Sequence, residues 1–168
     1  MPLGASTNIN ESVVSRYVVA EYRFGNWVHT TCPSFIKRPL WAAYRILNLF
    51  TRLVTTCEVP ATATIGPGLR LDHNGNGIVI HQEAVIGSNA RIFHQVTLGV
   101  NSFAGNDNYG PPRLGNNVYI GAGAKLIGNI TVGDNVRIGA NAVVTRDIPS
   151  NSVAVGVPAV VRPIRDGE

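Results

Sequence analysis

LGNNVYIGAGAKLIGNITVGDNVRIGANAVV, residues 114–144, places an aliphatic residue at every sixth position: Leu114, Ile120, Leu126, Val132, Ile138 and Val144. A second small or aliphatic residue follows four positions later, at Val118, Ala124, Ile130, Val136 and Ala142. Gly trails the first member in Leu114-Gly115, Ile120-Gly121, Val132-Gly133 and Ile138-Gly139. A period of six fits neither the helical repeat nor the two-residue alternation of a hairpin sheet. It fits a hexapeptide β-helix, whose stacked coils put their aliphatic residues on a common internal ladder. The same beat runs upstream through Ile80, Ile86, Ile92 and Leu98.

The beat is interrupted twice. Extra residues enter at Leu71-Asp72-His73-Asn74-Gly75-Asn76-Gly77, and a longer step separates Leu98 from Leu114. The second interruption, Asn101 to Arg113, is rich in Gly, Asn and Pro and aperiodic, which predicts a protruding loop at about 100–113. Loops ejected from a rigid scaffold are where function gathers. Before the coils, residues 13–31 and 34–55 read as two helices divided at Pro33, behind a loose tail over 1–12. In the second helix Leu40, Ala43, Ile46, Leu47, Phe50 and Leu53 follow helical spacing. The expected organisation is a helical segment over 1–56 and a β-helix over 57–168. Regular coiling is expected to stop after Ile148, at Pro149 and Pro158, leaving a C-terminal cap.

Composition narrows the function classes. Charged residues are 14% and the formal charge is +4, with no dense Lys/Arg run, which argues against nucleic acid. Cys32 and Cys57 form no CxxC or finger spacing and read as ordinary thiols of a reducing compartment. The first twelve residues lack the charged start and apolar run of a secretory signal. The apolar stretch from Pro39 to Val54 is cut by Arg45 and Arg52 and is too short to span a bilayer. Its aromatic and basic content suits either a membrane surface or packing against the β-helix or a neighbouring subunit, with packing the preferred reading. A cytoplasmic protein is expected.

Of four histidines, His29 sits in the helical region and reads as structural. His73 lies in a coil interruption beside Asp72, with Glu58 just before the first coil. An acid that orients a His, which then takes a proton from a hydroxyl, is the arrangement of general-base catalysis. His81 and His94 fall at outward coil positions, where each either lines a cleft or packs at an edge. The spacing of His73, His81 and His94 carries no metal signature, so no metal is expected.

These motifs resemble the left-handed β-helix acyltransferases, and most closely the serine acetyltransferase group, over about residues 57–163. The pieces carrying the resemblance are Leu71-Asp72-His73, Gly77-Ile78-Val79-Ile80, Gln95-Val96-Thr97-Leu98-Gly99, Ile120-Gly121-Ala122-Gly123-Ala124-Lys125, Gly128-Asn129-Ile130 and Gly156-Val157-Pro158-Ala159. The resemblance implies a mainly β chain folded as a left-handed parallel β-helix, working as a homotrimer with sites between subunits. It implies acetyl-CoA as co-substrate, His73 as general base, Asp72 holding the acceptor and Glu58 as the acidic partner of the base. His94 and Arg113 are further acceptor-binding candidates. Ala122, Gly123, Gly139 and Ala140 would let the pantetheine arm approach, or are simply tight coil corners. Arg146 and Arg162 would meet the CoA phosphates, or are solvated surface. A backbone N–H would stabilise the oxyanion, and no covalent enzyme intermediate is required.

Three departures bear on the acceptor. Where the family carries an Arg-His pair that grips the serine carboxylate, this chain reads Gly110-Pro111, with Arg113 close by as a substitute. Most of the family's long N-terminal helical domain is missing. One residue is inserted after His73. The short two-helix N-terminus and Phe93-His94-Gln95-Val96-Thr97 resemble the serine-acetyltransferase-like proteins of bacterial surface-polysaccharide synthesis, whose acceptor is a sugar hydroxyl. The acceptor thus stays open between a sugar and L-serine, tilted toward sugar. The rival readings are a non-catalytic β-helix scaffold and a γ-type carbonic anhydrase. The closing Arg165-Asp166-Gly167-Glu168 lacks the terminal Ile with which serine acetyltransferases dock the next enzyme of cysteine synthesis, so no such docking is expected.

Overall fold

The computed structural model describes residues 12–102 and 108–165. The tail over 1–11, the middle of the expected loop (103–107) and the last three residues lie outside it. Two helices, α1 (Val13–Thr30) and α2 (Ser34–Thr55), precede the coils, within a residue of the sequence expectation. Ser12 caps α1, its hydroxyl accepting from the Ser15 N–H at 3.0 Å. Pro39 falls inside α2, which runs on past it.

Four coils follow, each of three short strands. The first holds β1 (Thr64–Ile65), β2 (Arg70–Leu71) and β3 (Val79–Ile80); the second, β4 (Val85–Ile86), β5 (Arg91–Ile92) and β6 (Thr97–Gly99). The third holds β7 (Arg113–Leu114), β8 (Tyr119–Ile120) and β9 (Lys125–Ile127); the fourth, β10 (Thr131–Val132), β11 (Arg137–Ile138) and β12 (Val143–Val144). Corresponding strands pair in parallel and build three flat faces: β1-β4-β7-β10, β2-β5-β8-β11 and β3-β6-β9-β12. This is the parallel prism of the left-handed β-helix class. Partners Arg113 and Thr131 are 18 residues apart, three hexapeptides per coil. Partners Thr64 and Val85 are 21 apart because of the His73 interruption, and Val85 and Arg113 are 28 apart because of the loop.

The beat residues point inward. Leu71, Ile92, Leu98, Ile120, Leu126 and Ile138 are fully buried, and Ala84, Ala90, Val118, Ala124 and Val136 fill the space between them. Both sets join one core, held at close packing by backbone hydrogen bonds from coil to coil. Coils approach closely enough that some corners exclude a side chain: a Cβ on Gly87 would lie 2.5 Å from the Gly115 carbonyl oxygen.

Coiling does not stop at Ile148. β13 (Ser152–Val155) pairs in parallel with β11 and buries Ala154, adding a further rung to the second face. Pro149 is exposed at a corner, where its missing N–H costs no ladder bond. The cap is β14 (Val160–Pro163), which turns back antiparallel on β13. At the other end α1 covers the first coil. Tyr22 donates its hydroxyl to the Ala63 carbonyl at 2.8 Å and accepts from the Ile65 N–H at 3.1 Å, while Asn26 donates to Ala61 at 2.8 Å. These bonds satisfy the open edge of β1, the groups a solenoid end leaves unpaired.

Gly87→Ala is expected to destabilise the protein by about 1–3 kcal/mol, the usual cost of overpacking. A urea unfolding midpoint unchanged from the parent would contradict the close coil contact.

Candidate active site

The first-coil corner between the second and third faces carries His73. Its five residues 73–77 include four with positive φ: His73 (53°), Asn74 (63°), Gly75 (67°) and Gly77 (63°). Such geometry is uncommon for a non-Gly residue and needs outside support. Here the Gly77 N–H donates to the Thr55 carbonyl at 3.1 Å and the Asn76 amide reaches the same oxygen at 3.3 Å. Gly75 is buried over Cys57. The extra residues thus push His73 out of the ladder and leave its imidazole exposed.

His94 lies one coil up on the same corner. The two imidazoles meet edge to face, with centroids 4.8 Å apart and planes at 79°. Phe93 flanks His73 at 5.8 Å, and Tyr119 continues the aromatic row 5.2 Å beyond Phe93. His94 Nδ1 is buried and has no hydrogen-bond partner among the described residues.

Asp72 is buried at the start of the turn, and both its oxygens face Arg91, at 2.6 Å from Nε and 3.2 Å from Nη2. Arg70 Nε stands 3.8 Å away. The hydrogen bond from Arg91 to Asp72 raises the Arg91 pKa, and its guanidinium lies over the Phe93 ring at 5.0 Å. Arg91 was not singled out from sequence. Its partnership rests on coil register, which sets it on β5 beside Arg70 of β2 and Tyr119 of β8.

Glu58 makes an isolated parallel bridge with Val79 at the foot of the third face, and its carboxylate pairs with Arg52 of α2. No ion pair joins it to His73 among the described residues. The orienting acid read from sequence is therefore held by a helix cation in this chain. Cys57 is buried, and burial pushes its thiol up to about 12, so it is no ready nucleophile.

The small residues assigned to the cofactor lie in the column above His94. Gly123 N–H donates to the His94 carbonyl at 2.9 Å, and Asn141 N–H donates to Ala122 at 2.8 Å. With Gly139 and Ala140 they form a partly exposed strip without bulky side chains, a shape that fits an extended pantetheine arm. Coil stacking also accounts for two of them: a Cβ on Gly123 would lie 2.1 Å from Asn141 Oδ1, and one on Gly139 would lie 2.8 Å from Val155. Other candidates fall elsewhere. Arg146 is exposed in the turn after β12, and Arg162 is on β14. Arg113 begins β7, across the third face from the His73 corner. His81 sits in the turn leaving β3, its Nδ1 accepting from the Glu83 N–H at 3.2 Å, apart from the His73–His94 pair.

Residues 111–146 match the bacterial transferase hexapeptide family of six repeats. The chain is 45% identical over 139 residues to the serine acetyltransferase of Helicobacter pylori strain J99, covering 82% of this chain and 75% of that one. Its fold superposes on the serine acetyltransferase of Neisseria gonorrhoeae in complex with serine with a TM-score of 0.73 and 31% identity, covering 88% of this chain and 56% of that one. For the Brucella abortus enzyme in complex with coenzyme A the values are 0.73 and 29%, covering 89% and 56%. The chain thus spans just over half the length of these crystallised relatives. The likenesses lend nothing to the scaffold or carbonic anhydrase readings. With the hexapeptide core, the His73 corner and these relatives in agreement, the chain belongs to the serine acetyltransferase family of hexapeptide-repeat acyltransferases.

Proposed function

We propose that this chain transfers the acetyl group of acetyl-CoA to the hydroxyl of a small acceptor, with His73 as general base. The observation that carries the reading is the exposed imidazole of His73, held out of the ladder at the foot of a column of small residues. His73 takes the acceptor's proton as the oxygen bonds to the thioester carbonyl carbon. The carbon–sulfur bond then breaks, and the imidazolium returns its proton to the departing thiolate. The edge of His94 and the ring of Phe93 fix the imidazole plane. The Asp72–Arg91 pair locks the backbone entering the turn, so Asp72 positions the base as well as facing the acceptor.

The named relatives make L-serine the first acceptor to consider. A sugar hydroxyl is the second, on a specific observation. Gly110-Pro111 stands at the place of the family's carboxylate clamp, and Gly110 is buried against Asn129 and offers no side chain. Arg113 is the remaining cation of that segment. Because its corner and the His73 corner lie on opposite sides of the third face, the two meet most simply between neighbouring chains. We therefore place the active sites between subunits of a homotrimer, in the cytoplasm where acetyl-CoA is made. Glu58 in this reading exchanges Arg52 for the imidazole when the site is assembled.

Thiol release from acetyl-CoA should depend on L-serine or on one member of a panel of sugars and nucleotide sugars. His73→Ala should lower kcat by about 10²- to 10⁴-fold. Undiminished turnover in that variant, or no release and no CoA binding in the parent, would overturn the proposal. Cys57→Ala should keep kcat within about two-fold, and Cys57 should resist Ellman's reagent at pH 8 until the protein is unfolded, since its thiol ionises only near 12. Rapid labelling of Cys57 in the folded protein would instead point to a covalent route.

A further inference from the structure

Helix α2 is amphipathic the wrong way round for a helix resting on a core. The stripe it turns inward is polar: Tyr44 accepts from the Ala61 N–H at 3.2 Å, Asn48 donates to Glu21 at 3.1 Å, and Thr51 and Thr55 bond the carbonyls one turn back. Its only buried residues are Tyr44, Thr51 and Thr55. Ile36, Leu40 and Trp41 are half-buried, Trp41 packing against His29 and Tyr44, but most of the large apolar residues face out. Phe35 is 84% exposed, Ile46 60%, Leu49 57%, Phe50 62%, Leu53 71% and Val54 73%. Among the described residues, most of the stripe that sequence periodicity marks as a packing face is therefore uncovered, Leu47, Phe50 and Val54 lining an open groove beside Val13, Val14 and Tyr17 of α1. An apolar patch of this kind marks an interaction surface.

Charge indicates what it meets. Arg38, Arg45 and Arg52 are spaced seven residues apart, so at 3.6 residues per turn they form one ridge along the edge of the apolar arc. Helix α2 holds no Asp or Glu. Residues 13–55 carry six Lys or Arg against one carboxylate, Glu21, which is buried and whose pKa burial raises. The rest of the chain carries eight against nine. The whole positive excess of the protein thus sits on the helical unit. No described helix is long and apolar enough to cross a membrane. A broad apolar arc bordered by a cationic ridge is the pattern of a helix lying in the plane of a bilayer interface. A two-fold contact between copies through this face would instead bring cationic ridges together with no exposed carboxylate on either helix to offset them.

We propose that the outward face of α2 docks the protein on an anionic lipid surface, the apolar arc entering the headgroup boundary while Arg38 and Arg45 meet lipid phosphates. The proposal stands independently of the catalytic reading. The test is co-sedimentation of the full chain with vesicles of equimolar phosphatidylglycerol and phosphatidylcholine, and with phosphatidylcholine alone, with the mass in solution measured in parallel. The parent should bind the anionic vesicles and not the neutral ones. Arg45→Gln should weaken binding about five-fold, the share of one interfacial cation. Phe50→Glu should abolish it, both variants keeping the parent's mass and its thiol release in free solution. Absence of binding to anionic vesicles would overturn the proposal. So would a fall in mass on Phe50→Glu, which would assign the face to contacts between copies of the chain.

Discussion

The structure depends on one backbone requirement, that the chain turn a corner every six residues without breaking the hydrogen bonds to the coil below. The corners after the first and second faces use a residue in the left-handed region three places after the inward aliphatic. Asn89, Gln95, Asn117, Asn135, Asn141 and Asn151 fill that place, with Gly68 and Gly123. Asn tolerates positive φ better than other side chains do and offers an amide besides. On the corner after the first face those amides form their own ladder: Asn89 donates to Asn117 at 3.2 Å, Asn117 to Asn135 at 3.0 Å and Asn135 to Asn151 at 3.0 Å. A fixed corner keeps every inward residue over its predecessor, and the stacked core follows. The active-site candidate is the corner that departs from the rule. Three extra residues and consecutive left-handed conformations free His73 from the repeat, and the support comes from Thr55 at the end of α2 and from Arg91 one coil above.

That support gives the helical segment two tasks. One is to close the solenoid, which α1 does with Tyr22, Arg23 and Asn26 on the backbone of the first coil. The other is to hold the His73 turn from below. Both are met by polar atoms, because an open coil edge presents unpaired N–H and C=O groups as well as apolar surface. The inward side of α2 is polar for the same reason, which leaves its apolar residues for a different surface.

The repeat was legible because it is written in every coil: the aliphatic spacing, the two interruptions and the two helices all match the observed elements. Three features were not. Pro149 suggested an end to coiling, but a proline at an exposed corner removes no ladder bond, and β13 stacks beyond it. The apolar spacing of α2 identifies a face without saying what the face covers, and the chain turns that face outward. The Arg91–Asp72 pair depends on a 21-residue coil, and its register follows only once the interruption is known to project outward rather than to shift the strands. Within the site, His73 was legible because it breaks a periodic pattern. Glu58, expected as its acidic partner from its place just before the first coil and from the family resemblance, pairs instead with Arg52, which lies in a helix whose approach angle no local motif encodes.

The geometry of a single chain also bears on the proposed assembly. A solenoid corner is convex, and a convex surface cannot strip water from a thioester or enclose an acceptor. His73 and the small-residue column give one wall: an imidazole on an aromatic row with a smooth strip above. A second wall has to come from something that projects. The loop between β6 and β7 is the long excursion from the repeat, but it leaves from the far edge of the third face. Folding it back onto its own His73 would carry it across that whole face, whereas a neighbouring chain set against the corner brings its loop directly opposite. In the proposed assembly, then, the rigidity that fixes the base and the reach that selects the acceptor come from different subunits, so acceptor choice can change through the loop while the base stays where the repeat puts it.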